Sequence, residues 1–307
     1  MIRKSYRVKF SSGVGEDLAG IVDRPDTSQS VPVVVLSHCF TCSKDLKAIV
    51  RIARGLSEHG IAVLRYDMTG LGGSRGDFSQ TNFLTNLDDL RAAIEFAQSE
   101  LGMVTTLFGH SFGGAASLAI AGSDLDIDQP TRSNLRSLIS LAAPSDTDHL
   151  ADRLVRMNPA IDSEGVGDVV IGGLTWSIRK QMVDNYRHYD LTRLIARVAI
   201  PTMLFQSPQD DIVGFEHAIR IMSLINVPDS NVPDSNVPDS NVPDSNVPDS
   251  NVPDSNVPDS ETRQSGVDGE SLASLVSLPG ADHLLTSDPR DIDFVIGVAA
   301  TMIQRYA

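Results

Sequence analysis

Cysteine is scarce in this chain: 307 residues carry two, Cys39 and Cys42. Two are too few for a disulfide framework, so a reducing compartment and a fold held by its apolar core are expected. No run approaches the ~18–20 apolar residues needed to span a bilayer. The N-terminal MIRKSYRVKFSSG has early basic groups but no apolar segment of leader length, so no secretory signal is expected. Positive charge is also in short supply. Lys and Arg number 25 against 40 Asp and Glu, a net charge of −15 that argues against nucleic acid or an anionic membrane as partner. The expectation is a soluble, cytoplasmic protein.

What is present suffices for a large core, 41% of the residues being hydrophobic. Short β-branched runs alternate with stretches of helical period, the pattern of a doubly wound α/β sheet read as one domain over residues 1–307. The predicted strands are Ser5–Phe10, Leu18–Asp23, Val31–Ser37, Ile61–Tyr66, Val104–Phe108, Leu138–Ala142, Thr202–Gln206 and Leu275–Leu278. The first two form an antiparallel edge hairpin, and the others are parallel because helices separate them. One helix is expected from Lys44 to about His59, with Ser43 as its cap. Others are expected at about Leu84–Leu101, from the GHSFGG turn to about Ala121, and from Pro289 to Tyr306 with Asp288 as cap. Over residues 145–199 the alternation breaks. This stretch reads as a small cap containing a hairpin, DVVIGGLTWSIRK, that turns at Gly172–Gly173. Trp176, Met182 and Tyr186 are its expected contributions to a substrate pocket, with packing of the cap on the core as the competing role.

Residues 226–260 are seven copies of Asn-Val-Pro-Asp-Ser, inserted before the last strand. Their seven aspartates account for part of the charge; without them −15 becomes −8. One apolar side chain besides proline per unit cannot offset the entropy of ordering, and a proline every fifth residue rules out a regular helix. The tract is read as a tolerated expansion made of loose turns. Lengthening a connection from ~10 to ~45 residues costs only about 1 kcal/mol.

Leu-Phe-Gly-His-Ser-Phe-Gly-Gly at 107–114 places G-x-S-x-G between an apolar strand and a helical run. That is the setting of a sharp turn exposing a nucleophilic serine, here Ser111. A serine hydroxyl needs a base, and the expected chain order is serine, acid, histidine. Of seven histidines, His283 in Leu-Pro-Gly-Ala-Asp-His-Leu-Leu follows the last strand. His38 and His110 lie inside other motifs and are read as loop-orienting. The acid falls in Ser-Pro-Gln-Asp-Asp-Ile-Val-Gly at 207–214, where its place two residues before an apolar pair selects Asp210 and leaves Asp211 as fallback. Asp282, beside the histidine, is read as solvated. Two backbone donors should form an oxyanion hole: the N–H of Phe112, after the nucleophile, and that of Phe40 in Ser-His-Cys-Phe-Thr-Cys.

Taken together, His-Cys-Phe-Thr-Cys-Ser-Lys-Asp-Leu-Lys-Ala, Tyr-Asp-Met-Thr-Gly-Leu-Gly-Gly-Ser, GHSFGG, GVGDVVIGG, SPQDDIVG and GADHLL, in this order, resemble the α/β-hydrolase half of bacterial hydrolase/OsmC-like fusion proteins. More broadly the chain is similar to the serine aminopeptidase-like and carboxylesterase branch of that superfamily. The resemblance implies an α/β-hydrolase fold, an eight-stranded and mostly parallel sheet with flanking helices and a cap. It also implies a serine esterase acting on small-molecule esters through Ser111, Asp210 and His283, with no metal or cofactor. No OsmC-like domain is expected after Ala307, so no peroxide role is carried over. Thioesterase, aminopeptidase or amidase, and perhydrolase share the same apparatus. A binding protein using the repeat as its arm is the alternative from another class. Cys39 and Cys42 are read as lining of the oxyanion loop, with a redox gate as the alternative. The glycine-rich stretch after Asp67 lacks the lysine of a phosphate loop and is read as a tight turn.

Overall fold

Buried at every position, Val33–Ser37, Ala62–Tyr66, Val104–His110 and Ser137–Leu141 are central strands, as apolar runs must be when helices cover both faces of a sheet. The computed structural model describes residues 2–123, 134–226 and 271–307. Its strands are β1 (Arg3–Ser11), β2 (Asp17–Pro25), β3 (Val33–Ser37), β4 (Ala62–Tyr66), β5 (Val104–His110), β6 (Ser137–Leu141), β7 (Val166–Ile171), β8 (Leu174–Arg179), β9 (Thr202–Gln206) and β10 (Ala273–Ser277). Eight of them form one sheet in the order β1-β2-β4-β3-β5-β6-β9-β10. β1 pairs antiparallel with β2, β2 antiparallel with β4, and the remaining neighbours are parallel. All eight expected strands are present and the sheet is mostly parallel, as anticipated.

The helices of the described residues are α1 (Lys47–Glu58), α2 (Phe83–Leu101), α3 (Phe112–Gly122), α4 (Asp148–Met157), α5 (Ala160–Ser163), α6 (Lys180–His188), α7 (Leu191–Ile195), α8 (Phe215–Asn226) and α9 (Pro289–Tyr306). Strand period two sends β3 side chains to opposite faces. Val33 and Val35 join the core under α2 and α3, whereas Val34 and Leu36 join the core under α1 and α9. Asp288 caps α9 by accepting from the Arg290 N–H at 2.9 Å, with Pro289 in the first turn.

α1 starts three residues later than its sequence implies, at Lys47, and no side chain caps it. The cause is distant in sequence. Lys44 donates its backbone N–H (2.6 Å) and its Nζ (2.8 Å) to the buried carboxylate of Asp67, which draws residues 44–46 out of helical geometry.

Residues 145–199 hold α4 to α7 and the β7–β8 hairpin. Gly172 and Gly173 take φ of 60° and 78° at its tip, the primed turn that a two-residue connection requires. The NVPDS repeat lies outside the described residues apart from Asn226, which ends α8. The Asn226 side chain accepts from the backbone N–H of Ala273 at 2.9 Å and so ties α8 to the start of β10.

Candidate active site

Between the end of β5 and the start of α3 the chain reverses within one residue. Ser111 sits there with φ 54° and ψ −119°, a conformation costly for any residue with a Cβ. Its own N–H is held by the Leu141 carbonyl at 2.7 Å. Flanking glycines permit the approach. A Cβ on Gly109 would strike the Gly113 carbonyl, and one on Gly113 would lie 2.5 and 2.6 Å from the carbonyl oxygens of Ser37 and His38.

Loops after β9 and β10 meet this turn at the C-terminal edge of the sheet. The Ser111 hydroxyl lies 2.9 Å from His283 Nε2, and His283 Nδ1 lies 2.8 Å from Asp210 Oδ2. The other oxygen of Asp210 accepts from the N–H groups of Ile212 (2.9 Å) and Val213 (3.0 Å). Burial pushes the Asp210 carboxyl upward, but the His283 bond and charge and the two N–H groups outweigh it, so the net shift is below the ordinary carboxylate value. An ionised Asp210 accepts a hydrogen bond from Nδ1–H and leaves the Nε2 lone pair facing the serine. Asp211 is exposed, and the structure does not bring it to the histidine. Asp282 is not free in solvent. It accepts from the N–H groups of Leu284 and Thr286 and from the hydroxyls of Thr286 and Ser287, building the turn that presents His283.

The Phe112 N–H is at the first turn of α3, where no helical acceptor exists, and the Phe40 N–H lies in the loop after β3. Neither amide donates to any acceptor among the described residues. The peptide before Phe40 is fixed from its other side. His38 Nδ1 donates to the Cys39 carbonyl at 2.8 Å, and His38 Nε2 accepts from the Met68 N–H at 3.2 Å. Because a trans peptide directs C=O and N–H oppositely, this grip turns the Phe40 N–H away from His38. Cys39 and Cys42 form a disulfide, their Cα atoms 5.4 Å apart. A bridge spanning three residues closes locally and needs no framework of further cysteines.

A cavity of about 600 Å³ opens beside these groups and includes Ser111, His283, Phe40 and Phe112 in its wall. The rest of the wall includes the disulfide loop, one stripe of α4 (His149, Leu150, Arg153, Leu154, Met157) and Val170, Ile171, Gly172 and Leu174 at the hairpin tip. Trp176, Met182 and Tyr186, expected to line the pocket, do not. Met182 and Tyr186 are fully buried, and Trp176 packs edge-on against Phe78 with ring centroids 5.0 Å apart. Tyr186 packs edge-on against Phe40 and Phe112, ring centroids 6.3 and 5.7 Å apart, so these residues seat the 145–199 segment on the sheet.

Several supporting groups escaped sequence reasoning. Asp67 gathers Lys44 and the Gly73 N–H (2.7 Å), and Arg65 bonds the Lys44 carbonyl at 2.7 Å, anchoring the loop that carries Phe40. Asp89, on α2, accepts from the N–H and hydroxyl of Thr69. Among the described residues no cluster of three or more His, Cys, Asp or Glu could hold a metal ion, and no helix is long and apolar enough to cross a membrane.

The family model of S33 serine aminopeptidases matches residues 28–157. A search of curated proteins gave no match. Among solved structures, the esterase domain of a Rhodothermus marinus protein is 32% identical, with 100% of this chain and 99% of that chain covered at a TM-score of 0.65. Est1E of Butyrivibrio proteoclasticus, solved with ferulic acid bound, is 18% identical over 97% of this chain and 98% of its own at a TM-score of 0.69. The mouse α/β hydrolase domain-containing protein 10 is 15% identical over 98% and 100% at 0.66. The last two share the fold alone.

Proposed function

This chain belongs to the α/β-hydrolase superfamily, and on that premise we propose that it is a serine hydrolase cleaving carboxylic esters of small molecules through an acyl-enzyme. One observation carries the reading: the hydrogen-bonded line from Asp210 through His283 reaches Ser111 at a cavity wall shared with Phe40 and Phe112, whose backbone amides have no acceptor among the described residues. In the proposed reaction His283 Nε2 takes the hydroxyl proton as Ser111 Oγ attacks the ester carbonyl. The developing oxyanion accepts from the Phe40 and Phe112 N–H groups, for which loss of one donor costs about 3–4 kcal/mol. His283 returns its proton to the departing alcohol oxygen. Water, deprotonated by the same imidazole, then releases the acid and restores Ser111. Asp210 keeps the imidazole in the Nδ1–H tautomer and stabilises its cation.

Esters are favoured over the substrates of aminopeptidases by the character of the cavity. An aminopeptidase must hold a free ammonium group, yet no carboxylate lines this wall among the described residues. The 32% identical neighbour, described as an esterase domain, supports the same choice. The segment 145–199 is proposed to act as the cap that shapes acyl specificity. Hydrolysis of p-nitrophenyl esters from acetate to decanoate, with wild type beside Ser111→Ala, tests the proposal. Turnover by wild type and silence of the variant are expected; equal rates in both would refute it.

A further inference from the structure

The stripe that α4 turns toward the cavity interrupts apolar residues with one cation. Leu150, Leu154 and Met157 surround Arg153, and His149 lies one turn earlier. Arg153 is half-buried. Three other cations of the 145–199 segment and α8 are paired, whereas Arg156 and Arg193, which carry no side-chain pair among the described residues, are exposed. Arg187 pairs with Asp162 at 3.0 Å, Lys180 lies 3.3 Å from Asp184 and 3.4 Å from Asp162, and Arg220 lies 3.4 Å from Asp146. Unlike Arg187, Lys180 and Arg220, Arg153 makes no hydrogen bond or ion pair with any described residue. Nor does any Asp or Glu among the described residues line the cavity. In a chain carrying 40 acidic residues against 25 basic ones, the wall beside Ser111 therefore presents a net positive charge.

Guanidinium is a planar fork of donors that matches a carboxylate in two-point contact, and its value rises where apolar walls limit competing water. His149 donates its Nδ1–H to the Asp146 carbonyl at 3.1 Å and makes no hydrogen bond with Arg153. We propose that Arg153 is a specificity residue that receives a carboxylate carried by the ester substrate, so that the preferred substrates are monoanionic esters such as half-esters of dicarboxylic acids. This rests on the serine-esterase reading above. The reaction itself is unchanged: water cleaves the acyl–oxygen bond, and the remote carboxylate takes no part in bond making.

Kinetics with paired substrates test the proposal. The p-nitrophenyl half-ester of glutaric acid carries its charge on the acyl side, and p-nitrophenyl hexanoate is a neutral ester of similar length. Hexanoyl esters of p-hydroxybenzoate and of phenol form a second pair with the charge on the leaving group. Wild type should favour the anionic member of at least one pair, which also identifies the side that faces Arg153. Arg153→Met should lower kcat/KM for that member about 10- to 100-fold more than for its neutral mate. Arg153→Lys should restore part of the preference, and the effect should lie mainly in KM. A wild type indifferent to charge in both pairs, or a Met variant that lowers both members equally, would overturn the proposal. Calorimetric binding of monoethyl glutarate and diethyl glutarate to Ser111→Ala, with and without Arg153→Met, reads the same preference without turnover. Absent hydrolysis combined with Arg153-dependent binding of the monoanion would sink the esterase reading and leave the anion site standing. Equal binding of both ligands would sink the site itself.

Discussion

His110 Nε2 donates to the main-chain carbonyl of His283 at 2.8 Å, so the residue before the nucleophile holds the backbone of the base. The two imidazoles lie with centroids 5.2 Å apart. Burial, and then the neighbouring His283, push the His110 pKa down to about 3, which keeps its ring neutral, with Nδ1 buried and without a partner among the described residues. His110→Ala should release the His283 loop and lower kcat about 10- to 100-fold with little change in KM, as loss of a positioning bond does. His110→Gln, whose amide can donate to the same carbonyl, should recover part of that loss. Steady-state kinetics on a p-nitrophenyl ester check both variants; identical loss in Ala and Gln would contradict the positioning role.

Asp210 and Asp211 are adjacent in sequence and opposite in environment. Asp210→Asn should lower kcat by about 10⁴-fold, because an amide favours the wrong histidine tautomer. Asp211→Asn, at an exposed position, should stay within about threefold of wild type. The same ester assay decides, and a reversal of the two effects would move the acid to Asp211.

Tyr186 is fully buried, and its hydroxyl has no hydrogen-bond partner among the described residues. An unsatisfied buried hydroxyl costs about 1–3 kcal/mol. Tyr186→Phe should therefore raise stability by about 1 kcal/mol in urea unfolding while leaving the ring packing on Phe40 and Phe112 intact. A loss of stability would show that the hydroxyl is satisfied after all.

Asp89 gives the fold a pH dependence of known sign. Burial raises its pKa to about 6 against the opposing bonds from Thr69, well above the ~3.9 of an unfolded aspartate. The folded protein therefore holds this proton more tightly than the unfolded chain. Its stabilising contribution is complete below about pH 4 and is lost as pH rises through about 6. Between pH 4 and pH 7 wild type should lose on the order of 2–3 kcal/mol more unfolding free energy than Asp89→Asn. Parallel curves for the two proteins would contradict the shift.

The sheet was legible because its central strands are short apolar runs buried on both faces, and the hairpin because Gly172 and Gly173 supply the two positive φ angles its turn needs. The residues meeting at the candidate site could be located by motif and chain order. Their roles stand as proposals. The pocket wall was not legible, since an apolar residue that packs a segment onto a sheet looks in sequence like one that lines a cavity. Trp176, Met182 and Tyr186 took the first role, and the α4 stripe around Arg153 took the second. The late start of α1 depends on Asp67, 23 residues from Lys44, and no local pattern carries such information. The Cys39–Cys42 bridge was hidden for a different reason: cysteine count speaks to frameworks, not to a single local link.

Ser111 is proposed as a nucleophile activated by His283. Labelling with a fluorophosphonate followed by peptide mass spectrometry tests it most directly. One label per chain is expected, located at Ser111, at a rate that falls by orders of magnitude in His283→Ala. A protein that remains unlabelled, or one labelled at another serine, would contradict it.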